Sequence, residues 1–262
     1  MLDEIVANRI KRVEQNKELV PIEMLEGSIH FSKPSISLSQ YLLSSNNSGI
    51  IAEFKRRSPS KGLISLNANV KDITQGYVQA GATALSVLTE PDYFMGNDDD
   101  FRIARSANRC PILRKDFIVN EYQVIETKSL GADVILLIAA CLEKKEIKDL
   151  YQLAKSLGLE VLFEIHSIDD LDKIPGDDLI VGVNNRNLKT MEVNLQTSFT
   201  VAEKYANDFT LISESGLSSA TEIVKLKSVG YKGFLIGESL MRSPAPSATL
   251  AHLIHEIKSI NS

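Results

Sequence analysis

The sequence of 262 residues contains little cysteine and no tryptophan. Its two cysteines, Cys110 and Cys141, lie at the edges of apolar runs and have no partner at the C-x-x-C spacing of metal and redox motifs. We therefore expect buried free thiols in a protein of a reducing compartment.

Long apolar runs and an excess of basic residues are also missing. No stretch approaches the ~20 uninterrupted apolar residues of a membrane-spanning helix. The N-terminus does not resemble a secretory signal, because Asp3 and Glu4 precede any apolar run. A formal net charge of −5 argues against the basic face that nucleic acid or an anionic membrane would require. We expect a cytoplasmic protein with neither partner.

What the sequence does contain is a regular alternation of short apolar runs and helical patterns. The eight runs that predict strands are residues 49–54, 83–88, 111–114, 133–139, 160–165, 179–183, 210–213 and 233–236. The helical patterns that follow them are residues 70–80, 99–107, 121–130, 144–157, 168–173, 195–205, 220–229 and 248–259. Strict alternation favours parallel strands joined by crossover helices. We therefore predict an α/β fold in which residues 1–262 form a single (β/α)8 TIM barrel domain.

A doubly wound open sheet is the alternative fold, but the glycine-rich turn that usually follows its first strand is missing. Residues 1–47 precede the first strand and are expected to form a helical extension. Apolar residues from Leu2 to Val13 share one helical face, and a second short helix is expected from Leu38 to Leu43. Two placements remain open for this extension: it covers the bottom of the barrel, or it partly closes the mouth.

Polar residues end several of the predicted strands, and in a β/α barrel these ends converge on one mouth. They are Glu53 and Lys55 at the end of the first strand, Lys115 after the third, Glu164 at the end of the fifth, Asn184 and Arg186 after the sixth, and Glu214 and Ser215 after the seventh. Each alone would be interpreted as a salt-bridged strand end. Together they would couple strongly, since two unit charges 4 Å apart interact by about 4 kcal/mol at an effective dielectric of ~20. Coupling of this size shifts pKa values enough for general acid–base chemistry.

The loops after the seventh and eighth strands predict a phosphate site, because Gly216 and Gly237 permit close approach of the backbone. The loop after the first strand adds four cations within residues 55–61. No aromatic residue is interleaved with these cations, which argues against a nucleic-acid patch. We interpret them as local positive potential for a small anion, under a loop shaped by Pro59. The four histidines are scattered along the chain, and we expect no metal.

Six segments together resemble the indole-3-glycerol-phosphate synthase family, over essentially the whole chain. They are IAEFKRRSPS (51–60), LRKDF (113–117), EIH (164–166), NNRNL (184–188), SESG (213–216) and LIGESLM (235–241). The resemblance implies conversion of 1-(2-carboxyphenylamino)-1-deoxyribulose 5-phosphate to indole-3-glycerol phosphate, with loss of carbon dioxide and water, in tryptophan biosynthesis. It implies no cofactor.

The resemblance also implies roles for individual residues. Lys115 matches the general acid that protonates the ribulose carbonyl oxygen, and Glu164 matches the group that assists the later dehydration. The implied catalytic set is Glu53, Lys55, Lys115, Glu164, Asn184, Glu214 and Ser215. The implied phosphate ligands are Lys55, Ser58, Gly216, Gly237 and the Glu238 backbone. The anthranilate ring is expected against Pro59, Phe94, Phe117, Leu136 and Leu188, with Arg186 near its carboxylate.

One segment departs from the family pattern: after the second strand, Asn97 and three aspartates replace a Gly-Ser helix opening. We still expect Asn97 to cap a helix. Two other functions fit a phosphate-binding barrel. One is a sugar-phosphate isomerase or an aldolase that forms a Schiff base on Lys55 or Lys115, and the other is a non-catalytic phosphate-binding protein. The expected ligand is a small sugar phosphate, and the sequence identifies no protein partner.

Overall fold

The computed structural model describes residues 1–177, 179–188 and 190–260, which form a closed barrel of eight parallel strands surrounded by helices. The strands are β1 (Ile50–Phe54), β2 (Ala84–Leu88), β3 (Ile112–Lys115), β4 (Val134–Ile138), β5 (Glu160–Ile165), β6 (Ile180–Asn184), β7 (Thr210–Glu214) and β8 (Gly233–Ile236). Each strand pairs with the next, and β8 pairs in parallel with β1 to close the ring. The predicted TIM barrel is confirmed.

Helices follow the strands in the predicted order. They are α1 (Leu2–Leu19), α2 (Ile22–Glu26), α3 (Leu38–Leu43), α4 (Val70–Gln79), α5 (Pro91–Phe94), α6 (Asp98–Ala107), α7 (Glu121–Ser129), α8 (Lys144–Ser156), α9 (Gln196–Tyr205), α10 (Ala220–Ser228), α11 (Glu238–Met241) and α12 (Pro246–Ile260). Asn97 caps α6 as expected, since its side chain accepts a hydrogen bond from the Asp100 backbone. In the described part of the chain, no helix has both the length and the hydropathy to cross a membrane.

One helical prediction needs a correction of type. The segment Ile168–Lys173 is a 3-10 helix instead of an α-helix. Ser167 and Asp170 form a capping box at its start, so the segment begins as a helix would. It ends at Ile174, which precedes Pro175 and is therefore disfavoured from helical geometry.

Apolar side chains fill the barrel on both faces of its strands, which explains why the strand segments are continuously apolar. An inner cluster contains Ile51, Leu113, Leu136, Leu162, Ile212 and Leu235. A larger outer cluster packs the other face of the strands against the surrounding helices. The interior is thus a packed core, and the polar residues of the cavity lie toward the carboxyl ends of its strands.

The N-terminal extension occupies both ends of the barrel, so both open placements are correct for different parts of it. Helix α3 inserts Leu38 into the inner cluster, and Glu160, the first residue of β5, accepts a hydrogen bond from the Leu38 backbone. This contact places α3 at the bottom. Helix α1 lies at the opposite end, where Arg9 pairs with the buried Asp116 at 2.5 Å, next to the last residue of β3.

Candidate active site

A cavity of about 350 Å³ opens at the carboxyl ends of the strands. All the residues that the sequence predicts for catalysis or binding lie on its lining. They are Glu53, Lys55, Ser58, Pro59, Phe94, Lys115, Phe117, Leu136, Glu164, Asn184, Arg186, Leu188, Glu214, Ser215, Gly216, Gly237 and Glu238. The fold therefore brings the whole predicted set to one place, as the shared direction of the strands requires.

Lys115 lies between two glutamates at the centre of this cavity. Its Nζ donates a hydrogen bond to Glu164 Oε2 at 2.8 Å and lies 3.4 Å from Glu214 Oε2. Asn184 Nδ2 donates to the other oxygen of Glu164, Oε1, at 3.1 Å. The side chains of Glu164 and Glu214 are 3% and 2% exposed, so this cluster operates almost without solvent screening.

Burial and charge separate the protonation states of the two glutamates. Burial raises the pKa of Glu164, but Lys115, His166 and the hydrogen bonds from Lys115 and Asn184 outweigh it and lower the pKa to about 2. Burial raises the pKa of Glu214 to about 8, with Lys115 opposing the rise. The surroundings of Glu164 therefore favour its ionised form, whereas those of Glu214 oppose its ionisation. Burial lowers the pKa of Lys115, but the surrounding carboxylates reverse the effect and raise it well above its usual value.

A second ion pair, Glu53 with Lys55, lies on the β1 side of the cavity at a separation of 2.7 Å. Glu53 is buried beside Gly237, where a Cβ atom would come within 2.3 Å of Glu53 Oε1. Gly182 likewise leaves room for Glu214, since a Cβ there would lie 2.2 Å from Glu214 Oε1. Both glycines therefore act by leaving space for a buried carboxyl group.

The predicted phosphate region is formed by the loops after β7 and β8 and by a short hairpin after β1. Ser215 and Gly216 both have left-handed backbone conformations, with φ of 65° and 80°. A non-glycine residue in this region is strained, and such residues cluster at functional sites. In the hairpin, Ser58 is buried and faces the cavity. Gly237 directly precedes the first turn of α11.

An apolar slot lies beside the Lys115 cluster. The rings of Phe94 and Phe117 are tilted against each other with centroids 6.1 Å apart. Helix α1 adds Leu2 and Ile5 to the lining, a contribution that the sequence left undecided. The slot is thus closed on one side by the N-terminal extension.

Two cations lie at the outer rim of the cavity. Arg186 Nη2 is 3.8 Å from Glu238 Oε2, and Arg242 Nε is 3.5 Å from Glu238 Oε1. The Glu238 side chain is therefore engaged by both guanidinium groups. Arg242 was not predicted from the sequence.

The comparisons with known proteins agree with one another. Residues 2–253 match the family model described as indole-3-glycerol phosphate synthase. A relative named indole-3-glycerol phosphate synthase from Bacteroides thetaiotaomicron is 44% identical over 258 residues, covering 98% of this chain and 99% of the relative. One of the same name from Carboxydothermus hydrogenoformans is 38% identical over 262 residues, covering 97% and 99%. The chain belongs to the indole-3-glycerol phosphate synthase family.

Solved structures with low sequence identity share the fold. The tryptophan synthase alpha chain from Legionella pneumophila has a TM-score of 0.64 and 14% identity, covering 86% of this chain and 98% of its own. The 3-hexulose-6-phosphate synthase from Salmonella typhimurium has a TM-score of 0.63 and 11% identity, covering 80% and 99%. At these identities the likeness extends to the barrel alone.

Two residues close to predicted site residues were not themselves predicted from the sequence as site residues. Asp116 follows Lys115 and accepts hydrogen bonds from Arg9 and Thr89, both at 2.5 Å. His166 lies two residues after Glu164, and its Nε2 is 3.4 Å from Glu164 Oε1. The period of two along a strand already indicates that Glu164 and His166 share a side.

Proposed function

We propose that the chain is an indole-3-glycerol-phosphate synthase. It converts 1-(2-carboxyphenylamino)-1-deoxyribulose 5-phosphate to indole-3-glycerol phosphate, carbon dioxide and water, a step of tryptophan biosynthesis. Family membership supports the reaction. The observation that carries the assignment to residues is the hydrogen bond from Lys115 Nζ to Glu164 Oε2 at 2.8 Å, with Glu214 Oε2 3.4 Å away on its other side.

Binding holds the substrate bent for ring closure. In the proposal the phosphate lies among Lys55, Ser58, Gly216, Gly237 and the Glu238 backbone, and Arg186 pairs with the substrate carboxylate. The anthranilate ring occupies the slot of Phe94 and Phe117 and their apolar neighbours Pro59, Leu136 and Leu188. Contacts to the phosphate, remote from the reacting carbons, supply binding energy that fixes the near-attack geometry.

Ring closure joins the aromatic carbon that bears the carboxylate to the ribulose C2 carbonyl carbon. As this bond forms, the carbonyl π electrons move to the oxygen, which takes a proton from the Lys115 ammonium. The carboxylate then leaves as carbon dioxide, and the electron pair of the broken bond restores the aromatic ring. An apolar slot favours this loss, because it strips water from the carboxylate.

Dehydration completes the indole. The hydroxyl made from the carbonyl leaves as water with a proton from the enzyme, while the neighbouring methylene carbon gives up a proton to a base. Once Lys115 has released its proton, Glu164 has lost its cationic partner and becomes more basic, which suits it to this second role. Asn184 and the protonated Glu214 hold substrate hydroxyls. The ion pair of Glu53 with Lys55 helps to keep the lysine ammonium groups of the site in place.

An aldolase mechanism at Lys115 is disfavoured, because a Schiff base requires a neutral amine and the buried carboxylates hold this amine protonated. A cytoplasmic location and the absence of nucleic-acid and membrane partners remain predictions from the sequence composition.

In the deciding experiment, the purified chain is incubated with the carboxyphenylamino-ribulose phosphate and indole fluorescence is followed. The protein contributes no tryptophan fluorescence, because the sequence contains no tryptophan. We expect equal amounts of indole product and carbon dioxide. Absence of both would overturn the proposal. Borohydride with a ketose phosphate should leave the protein mass unchanged, whereas a covalent adduct would favour the aldolase.

A further inference from the structure

His166 is a partly buried polar side chain to which the proposed reaction gives no role. Its side chain is 13% exposed, and it follows Glu164 by two positions. Neither ring nitrogen has a hydrogen-bond partner within residues 1–177, 179–188 and 190–260, although both atoms are shielded from solvent. Buried polar atoms without partners are uncommon and call for an explanation.

The imidazole points at the oxygen of Glu164 that Lys115 does not bind. Nε2 lies 3.4 Å from Oε1, which also accepts the hydrogen bond from Asn184. Lys115 binds the opposite oxygen, Oε2. A histidine with a protonated Nε2 can donate to Oε1 after a small movement, and catalytic hydrogen bonds often shorten only when substrate binds.

We propose that His166 is a positioning residue for Glu164, holding Oε1 together with Asn184 so that Oε2 stays directed at Lys115 and the substrate. This inference rests on the proposed function. It assigns His166 to the dehydration step, in which Glu164 exchanges a proton with the substrate.

The charges that face Glu164 explain why a second donor is needed. Lys115 and Glu214 approach from β3 and β7, and the Cys141 thiol after β4 is kept neutral because burial raises its pKa to about 12. Lys115 is the ammonium bound to Glu164, and ring closure removes its proton. From then on, His166 and Asn184 are the donors that keep the carboxylate in place.

The test separates the two chemical steps in a single turnover. Substrate labelled in its carboxyl group reports ring closure and decarboxylation as released carbon dioxide, and fluorescence reports dehydration as indole. The variants are His166→Phe, which keeps the ring shape without a donor, and His166→Gln, which keeps a donor without an imidazole. The control is His255→Phe, at an exposed histidine of α12.

In His166→Phe we expect indole formation to slow about tenfold or more, while carbon dioxide release stays within about threefold of wild type. A positioning residue should cost less than the ~10²–10⁴-fold of a group that transfers the proton itself. Substrate affinity should change less than about twofold, and His166→Gln should recover most of the indole rate. His255→Phe should match wild type in both signals. Carbon dioxide would thus run ahead of indole only where the donor at residue 166 is lost.

Equal slowing of both signals in His166→Phe, or rates equal to wild type, would overturn the inference, as would a His166→Gln variant no better than His166→Phe. Thermal unfolding checks that each variant is folded, and His166→Ala replaces His166→Phe if the latter is not. A wild-type protein that releases neither product would instead contradict the proposed function itself.

Discussion

Gly237 leaves the space that the Glu53 carboxylate occupies, since a Cβ atom at residue 237 would lie 2.3 Å from Glu53 Oε1 and 2.9 Å from Glu53 Cβ. The sequence predicts Gly237 as a phosphate ligand through its backbone. The structure adds a steric role toward a carboxylate that pairs with Lys55. One glycine therefore connects the proposed phosphate region to the ion pairs of the site.

Replacing Gly237 by alanine should lower turnover as well as substrate affinity. The added methyl group forces Glu53 to move, and a displacement of about 1 Å in an active site can cost up to ~100-fold in rate. We expect kcat to fall at least about tenfold and KM to rise, measured by steady-state indole fluorescence. Gly27→Ala is the control, since its Cβ would meet its nearest neighbours at 3.5 Å, an ordinary contact. A rise in KM with kcat unchanged would leave only the phosphate role.

Replacing Lys115 by methionine should remove the proton donor while keeping a chain of similar length. We expect kcat to fall by about 10²–10⁴, the usual contribution of general acid–base catalysis, with a small change in substrate affinity. Loss of the ammonium should also raise the pKa of Glu164, because Lys115 is the main charge that lowers it. Single-turnover kinetics measures the loss of rate, and equilibrium binding of substrate measures the change in affinity. Turnover at the wild-type rate would remove Lys115 from its assigned role.

The barrel and the lining of its cavity were predictable because both follow from local sequence patterns. Parallel strands buried on both faces read as apolar runs, and the residues after them, such as Lys115 and Glu164, must meet at one end. The opposite pKa shifts of Glu164 and Glu214 were not predictable. They depend on which carboxylate receives the Lys115 hydrogen bond, and this is decided by side-chain packing.

Contacts between distant segments of the chain also could not be predicted from the sequence. Arg9 and Asp116 are 107 positions apart, and no periodicity relates them. The same holds for the hairpin that carries Ser58 into the cavity, because its strands, Arg57–Ser58 and Gly62–Leu63, are only two residues long. Such short strands carry no alternation of polar and apolar residues.

Replacing Arg9 by leucine tests the anchoring of α1 at the mouth of the barrel. Asp116 would lose a buried cationic partner, and we expect a loss of free energy of unfolding on the order of 3 kcal/mol, at the lower end for a broken buried pair because Thr89 and Arg114 still donate to Asp116. The apolar slot should loosen too, raising KM. Chemical denaturation and steady-state kinetics measure these changes.

The control for Arg9 is a substitution of Lys17 by alanine in the same helix. Lys17 pairs with Glu14 at 2.7 Å on the exposed side of α1, where such pairs contribute about 1 kcal/mol or less. Equal losses of stability in the two variants would mean that the buried contact to Asp116 contributes no more than a surface pair.

The raised pKa of Glu214 predicts how activity depends on pH. Its pKa of about 8 means that the carboxylic acid, which can donate to a substrate hydroxyl, becomes an acceptor-only carboxylate as the pH rises above this value. We therefore expect kcat/KM to fall above pH 8 in the wild type. Glu214→Gln keeps a donor that does not titrate, so its profile should stay flat over the same range. An alkaline limb of equal size in both proteins would assign the titration to another group.

The free energy of unfolding should also depend on the ionisation of Glu214, and the raised pKa of this group sets the sign of the dependence on pH. A carboxyl group whose pKa is raised on folding, here from 4.5 to about 8, holds a proton in the native state that the unfolded chain releases. Between these two values the native state binds more protons, so the free energy of unfolding falls as the pH rises. Glu214→Gln removes this contribution, and the stability of the variant should decline less than that of wild type between pH 5 and 8. Parallel urea titrations across this range measure the difference, and identical slopes would show that Glu214 is ionised in the folded protein.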